Sequence, residues 1–435
     1  MPGSVLASRV TVKFGPKPSQ ERRASRRMAA ETGGRGGPLQ ESGQTPCCSS
    51  RHRILQGCII SAMRHENPYS YGGPVTGPHF AGRQQELAAL VSRMTNGVSV
   101  VVTGPRRCGK TSLIGRGIEE LSGDAAVIQV NLMHCPSLDS LASRLTAGAF
   151  ELRGAKWRRA RQAVPEFLSR VRVRPTVTFR DDGKPVFGFG GLDLPDAGRV
   201  LDDVYAMLAS LSATRPAVLA LDEFHAIADL GVELPGMLKA LGDEHPRVSL
   251  VVASSRRHLM DALVISKGAP LYNMAERLAL GPIDPEALID YLQARASVGR
   301  KPMDISAARA ICARAGAAPY DLQRLAYEVF EVAGPQIGVE DVDAGMERVV
   351  GHEVPDFLDR LSSLTLGQRR VLIALAVHRG VERPSSASLA REVGYATPAG
   401  TRRAITALIE AELVIAREGA VFVADPFFAE WLRTL

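Results

Sequence analysis

Three things are scarce in this 435-residue sequence: paired cysteines, long apolar runs and, beyond its first 62 residues, net charge. The six cysteines (Cys47, Cys48, Cys58, Cys108, Cys135, Cys312) form no CxxC pair and follow no signal peptide. That argues against a disulfide framework, for a reducing cytoplasmic setting, and gives metal binding by cysteine no support. No window reaches eighteen uncharged apolar residues. The longest runs, near 98–102, 217–221 and 249–253, have the length of strands, so no membrane partner is expected. The formal charge of +7 resides entirely in residues 1–62, which hold ten basic and three acidic side chains, while residues 63–435 hold 43 of each sign. The basic total is therefore no sign of a nucleic-acid partner for the rest of the chain. What is present is ordinary globular material, 45% hydrophobic and 23% charged, long enough for two or three domains.

Residues 1–62 are rich in Gly, Ser, Pro and Arg and carry only a short apolar patch around Ile54 to Ile60, so disorder is expected there. The usage of 45 Arg against 8 Lys fits a GC-rich bacterial genome better than an organelle presequence. From Met63, MRHENPYSYGGPV reads as a natural protein start. Residues 1–62 are accordingly read first as a misassigned coding extension, then as a functional tail, then as a targeting peptide.

A strand-like run, VSVVVT at 98–103, leads into GPRRCGKT (Gly104, Pro105, Arg106, Arg107, Cys108, Gly109, Lys110, Thr111) and then, from Ser112, a helical pattern. Strand, glycine loop and helix in that order form a phosphate cradle, because the backbone must curl with its N–H groups pointing inward at a helix N-terminus. Lys110 is expected to reach the β- and γ-phosphates and Thr111 to hold Mg²⁺. The eight-residue pattern arises by chance on the order of 0.01 times in such a chain, so an incidental glycine turn is the weaker reading. Downstream, AVLALDEFH places Asp222 and Glu223 where a strand exits a sheet, with Asp222 a metal carboxylate and Glu223 the base that takes a proton from the attacking water. A third run, VSLVVASSRR, presents Ser254, Ser255 and Arg256 as candidate γ-phosphate sensors, against a helix N-cap with solvated arginines. Phe224 and His225 read as contacts below the site.

These elements together resemble the archaeal-type ATPase family, close to the signal-transduction ATPases with numerous domains and more distantly to origin-recognition AAA+ proteins. FAGRQQEL, with Phe80 and Arg83, is similar to the family's leading motif beside the nucleotide's base and ribose. PLYNMAERLALGPIDPEAL at 270–288 resembles the approach to a helical lid, and AGAAPYDLQRLA at 315–326 the lid motif over adenine, with Pro319 as base contact and Arg256 as sensor. The resemblance implies ATP and Mg²⁺, while the Asp222-Glu223 pair beside the phosphate loop favours hydrolysis over nucleotide binding alone or kinase chemistry. The lid motif departs from it with Ala317 and Ala318 where a second glycine is usual. For an arginine finger from a neighbouring subunit of a homo-oligomer, Arg277 is a candidate, against a surface salt bridge.

Between the second strand (AAVIQVNL, 125–132) and the acidic strand lies an insertion. AKWRRARQ at 155–162 reads as a solvated helix face before a nucleic-acid contact, and TVTFRDDGKPVFGFG at 176–190 as a hairpin. Residues 284–350 read as four helices with Asp284 and Asp304 as N-caps. After Pro355, three helices and a glycine-tipped hairpin spell a winged helix-turn-helix, with Thr401, Arg402, Arg403 and Thr406 on the third helix and Arg417 on the wing as DNA contacts. Its near-balanced charge keeps protein docking or packing against the rest of the molecule open as the alternative. The expected fold is α/β: a P-loop NTPase parallel sheet (63–283), a helical lid (284–355) and a C-terminal winged helix (356–435). The expected activity is a slow ATP-hydrolysing conformational switch, regulatory or associated with DNA. Its rival is a nucleotide-dependent module acting on a protein client.

Overall fold

The computed structural model describes residues 66–435, apart from residues 76, 122, 153–165, 167–174, 180–184, 190–196, 317 and 418. The 1–62 extension, the basic piece at 155–162, the turn of the 176–190 hairpin and Ala317 thus lie outside the described residues.

Helix α1 (Gln84–Thr95) precedes β1 (Val100–Thr103), α2 (Lys110–Glu120), β2 (Ala126–Asn131) and α3 (Leu138–Glu151). The expected hairpin is an antiparallel pair, β3 (Pro175–Phe179) and β4 (Pro185–Phe189). Helix α4 (Ala197–Ser212), β5 (Ala217–Asp222), α5 (Leu234–Glu244), β6 (Val248–Ala253) and β7 (Glu276–Ala279) follow. Strands pair in the order β2-β5-β6-β1-β7, all parallel, so β6 stands between the phosphate-loop strand and the acidic strand.

Side chains alternate across this sheet with period two. Val101, Leu219, Leu221, Leu250 and Val252 face α3, α4 and α5, whereas Val100, Val102, Val218, Ala220, Val251 and Ala253 face α1 and α2. Both faces are covered, which is why β1, β5 and β6 are buried at every position and read as continuous apolar runs.

The lid comprises α6 (Pro285–Val298), α7 (Ile305–Ala315), α8 (Pro319–Val332) and α9 (Val339–Ser362). Asp284 caps α6 by accepting from the Ala287 amide at 3.3 Å. Asp304 precedes α7 but its carboxylate accepts from Gln336 Nε2 at 2.7 Å instead of from a helix amide. Helix α9 does not stop at Pro355: it runs 24 residues and carries the proline inside. Beyond it lie α10 (Leu366–Val377), α11 (Ala387–Glu392), α12 (Pro398–Glu410), β8 (Val414–Arg417), β9 (Ala420–Val423) and α13 (Pro426–Leu432). Gly394 (φ 77) turns the chain between α11 and α12, and Gly419 (φ 81) sits at the tip of the β8–β9 wing.

Lid and winged helix share one apolar mass. Leu325, Val329 and Phe330 of α8 belong to the same cluster as Leu375, Leu408 and Leu432. Phe357 joins the two parts, its ring 5.1 Å from Phe428 and 5.7 Å from Trp431. Close approach of α8 and α9 depends on Gly345, where an added Cβ would stand 2.5 Å from Val329 Cγ2 and 2.9 Å from the Val329 backbone. Gly345→Ala gains at most about 1 kcal/mol of helix propensity but incurs about 1–3 kcal/mol of overpacking, so a net loss is expected. Urea unfolding checks this, and an unchanged midpoint would mean that the two helices separate freely.

Candidate nucleotide site

After β1 the chain curls through Gly104 to Gly109 and enters α2 at Lys110. The curl uses left-handed backbone at Arg107 (φ 63) and Gly109 (φ 89). Glycine adopts this conformation freely, whereas at Arg107 it costs on the order of 1 kcal/mol and persists only because the surroundings hold it. Lys110 is 6% exposed, and its ammonium donates to the carbonyls of Gly104 (3.1 Å) and Pro105 (2.7 Å), which keeps the charge inside the curl. Cys108 is buried with its Sγ 3.9 Å from that ammonium. Ser112 Oγ accepts from the Val75 amide at 3.0 Å and ties the leading segment to α2.

Strand β5 delivers the acids. Thr111 Oγ1 donates to Asp222 Oδ2 at 2.6 Å, and Asp222 Oδ1 accepts from the Glu223 amide at 2.9 Å. Burial pushes the Asp222 carboxyl above its ordinary pKa, against the pull of the Thr111 hydroxyl and the Glu223 amide. Glu223 is left-handed (φ 50), and its Oε2 accepts from the Ser255 hydroxyl (2.9 Å) and amide (3.3 Å), with His225 Nδ1 at 3.4 Å. His225 is 5% exposed and 2.9 Å from Ser254 Oγ; burial lowers its pKa, so the ring is neutral near pH 7. Of the three expected sensors, Ser255 therefore lies in the site beside Glu223. Ser254 is turned to His225, and Arg256 is exposed to solvent and is not among the lining residues.

Lys110, Thr111, Ser112, Glu223 and Ser255 line one cleft of about 300 Å³, within the range of ligand pockets. The leading segment closes it with Tyr71, His79, Phe80 and Arg83, and the lid with Tyr291, Pro319, Tyr320 and Gln323. Arg83 uses its guanidinium on Glu86 (2.9 Å) and the Gly281 carbonyl (2.8 Å) and so braces the leading motif. Pro319 opens α8. Arg106 is exposed and meets Glu412 at 3.4 Å. Arg277, on β7, donates from Nε to Thr103 Oγ1 at 3.2 Å within the same chain.

The oxygen-only pair of Thr111 and Asp222 suits Mg²⁺, which takes one or two protein ligands and completes its shell with phosphate and water. Among the described residues no group of three or more His, Cys, Asp or Glu forms an alternative metal cage. The buried, proton-hungry Asp222 is the group that a divalent cation would relieve.

The sequence reading missed what holds Arg107. Its guanidinium donates to Asp321 Oδ1 (3.0 Å) on α8 and Asp425 Oδ2 (3.4 Å) at the start of α13, and lies 4.7 Å from the centroid of the Tyr320 ring. Asp321 was within reach as a signal, two residues after Pro319 in the lid motif.

At the winged helix, Arg402, Arg403 and Arg417 are exposed, and Arg417 lies 4.9 Å from the centroid of the Phe422 ring. Thr401 requires a correction: it is fully buried and does not face DNA. Thr401, Ala404, Ile405 and Leu408 recur at i, i+3, i+4 and i+7, the stripe that α12 turns to the core.

Residues 79–252 match the AAA ATPase domain family, and residues 355–434 match a family described as a probable winged helix domain. The chain thus combines an AAA ATPase domain with a C-terminal winged helix domain. No curated protein sequence matches it. Among solved structures it is similar to a Walker-type ATPase of Pyrococcus abyssi, with TM-score 0.57 and 16% identity over 81% of this chain and 96% of that one. The ORC2 protein of Aeropyrum pernix in its ADPNP–ADP complexes gives a TM-score of 0.53 and 14% identity over 83% and 94%. At these identities the likeness is one of fold. Among the described residues no helix is long and apolar enough to cross a membrane.

Burial pushes the Asp321 carboxyl up to about 7, opposed by Arg107 and Arg324 and reinforced by Asp425. The folded state therefore binds this proton more tightly than the unfolded chain, whose carboxyl titrates near about 3.9. The stability this group contributes is full below about pH 4 and is lost as pH rises to about 7. The melting temperature of the wild type relative to Asp321→Asn is expected to fall between pH 5 and pH 8. A constant difference across that window would mean that Asp321 is ionised throughout.

Proposed function

We propose that the cleft binds ATP with Mg²⁺ and hydrolyses it to ADP and phosphate, and that the lid and winged helix follow the state of the nucleotide. The observation that carries this reading is the Thr111–Asp222 hydrogen bond of 2.6 Å with Glu223 one residue on and Lys110 inside the loop curl. A metal-holding hydroxyl, a metal-holding carboxylate, a base and a phosphate-binding cation thus converge at one sheet edge. The AAA ATPase match over residues 79–252 supports it.

Thr111 and Asp222 would hold Mg²⁺, which would supply charge neutralisation at the phosphates. Lys110 exchanges the Gly104 and Pro105 carbonyls for phosphate oxygens, a stronger charge-assisted pairing. Glu223 accepts the proton of the attacking water, and Ser255 orients its carboxylate through two hydrogen bonds. Phe80, Tyr291 and Pro319 supply apolar surface for the base at the lid side of the cleft. The product of the cycle is a change in the arrangement of lid and winged helix.

That output is directed at DNA through Arg402, Arg403 and the wing's Arg417, all exposed on the third helix and hairpin. A protein client is the second reading, favoured by exposed apolar side chains on the winged helix: Leu366 at 63%, Val377 at 55% and Ile409 at 40%.

Glu223→Gln is expected to keep ATP binding and to lower phosphate release by on the order of 10²-fold or more, measured by calorimetry and a phosphate sensor. Wild-type protein that releases no phosphate above background would overturn hydrolysis. For the DNA arm, duplex affinity should fall steeply between 50 and 200 mM salt, about tenfold or more, and Arg402→Gln with Arg403→Gln should flatten that slope. A flat wild-type titration would leave the protein client as the surviving output.

A further inference from the structure

The winged helix is fastened to the phosphate loop by charge. Arg107 lies in the loop between Gly104 and Lys110 and lines the same cleft. It holds Asp321 at 3.0 Å and Asp425 at 3.4 Å, carboxylates whose side chains are only 5% and 13% exposed. One comes from the lid and one from the winged helix. Arg360 of α9 brings a second cation to Asp425 Oδ2 at 3.4 Å, so two guanidinium groups face two carboxylates. The neighbouring Arg106–Glu412 pair is 73% and 42% exposed and contributes about 0–1 kcal/mol at most. Arg107 is therefore the principal polar tie between loop and winged helix.

We propose that Arg107 is the positioning residue through which occupancy of the phosphate loop reaches the winged helix: arriving phosphate oxygens take its hydrogen bonds, Asp425 loses its hold on the loop, and the winged helix loosens. The proposal rests on the reading of the cleft as an ATP site. A phosphate chain carries more charge than either carboxylate and suits the planar, two-pronged guanidinium, so the exchange is favourable. Breaking the tie leaves no carboxylate stranded. Asp425 keeps Arg360 and the amides of Phe427 and Phe428, which donate to its Oδ1 at 3.0 and 3.2 Å. Burial already raises the proton affinity of Asp321 and Arg107 opposes that rise, so the carboxyl holds a proton more tightly still when Arg107 departs.

Amide hydrogen exchange of the full chain, with and without Mg²⁺ and a non-hydrolysable ATP analogue, tests this at α13 and the turn at 411–413. Wild-type exchange there is expected to rise when the analogue binds. Asp425→Asn retains an oxygen to cap α13 but loses the charge; it should exchange fast without nucleotide and show no further rise, while calorimetry finds the analogue bound more tightly than by the wild type, because the tie no longer competes with phosphate. Asp425→Glu, which keeps the charge, should restore slow exchange and the nucleotide-dependent rise. An Asp425→Asn variant with the wild-type response overturns the proposal. So does a wild type that binds the analogue with no change in exchange, and that result leaves the ATP site standing. A wild type that binds no analogue removes both readings.

Discussion

A parallel sheet covered on both faces confines polar chemistry to its rim. Every position of β1, β5 and β6 is buried, so Lys110, Thr111, Asp222, Glu223 and Ser255 meet where those strands end and nowhere else. The strand order sharpens this. Because β6 separates β1 from β5, its end sets Ser255 against Glu223, while Thr111 reaches across to Asp222. Three αL residues, Arg83, Arg107 and Glu223, lie around this rim. Each costs on the order of 1 kcal/mol or more, and the packed sheet beneath provides the stability against which such strain is held.

The lid and winged helix obey a different constraint. Their apolar residues form one cluster, and α9 runs unbroken through Pro355 between them. Neither part presents a separate core that would let it swing alone by a few weak contacts. A response of this region to the cleft is therefore a response of a packed body, and such bodies move between discrete arrangements rather than deform. The polar tie at Arg107 matters because it joins that body to the loop by groups that can change partner, whereas the apolar contacts cannot.

Much of this was legible in the chain. The strand at 248–253, the loop and helix at 104–120, and the wing with its tip glycine emerge where local periodicity and turn chemistry point, because each is decided by neighbours in sequence. The failures have particular causes. The fourth lid helix reads as ending by residue 350, yet it runs on through Pro355 to Ser362, where Phe357 packs on Phe428. Thr401 was assigned to DNA by its place in the third helix, although its own stripe with Ala404, Ile405 and Leu408 marks it as core. The partners of Arg107 lie 214 and 318 residues away, and no local pattern encodes a pairing at that separation. A basic loop residue is indistinguishable in sequence from one aimed at phosphate.

Helix α12 bears on how the two ends of the molecule communicate under the proposed function. Its exposed Arg402 and Arg403 lie in its first half, and its last turn leads to Glu412 beside the phosphate loop. Thirteen residues span about 20 Å, so one rigid element separates the surface offered to DNA from the cleft. Rigidity alone does not couple them. The Glu412 contact at its end is too exposed to bias an equilibrium, since about 0–1 kcal/mol changes a population only a few-fold. The buried alternative runs through the core that α12 shares with α10 and α13, and ends at Asp425, where α13 begins. Under the proposed function a ligand on the exposed face and a nucleotide in the cleft act on one body whose buried charged tie to the loop is at Arg107, and linkage then requires that each change the affinity for the other by the same factor.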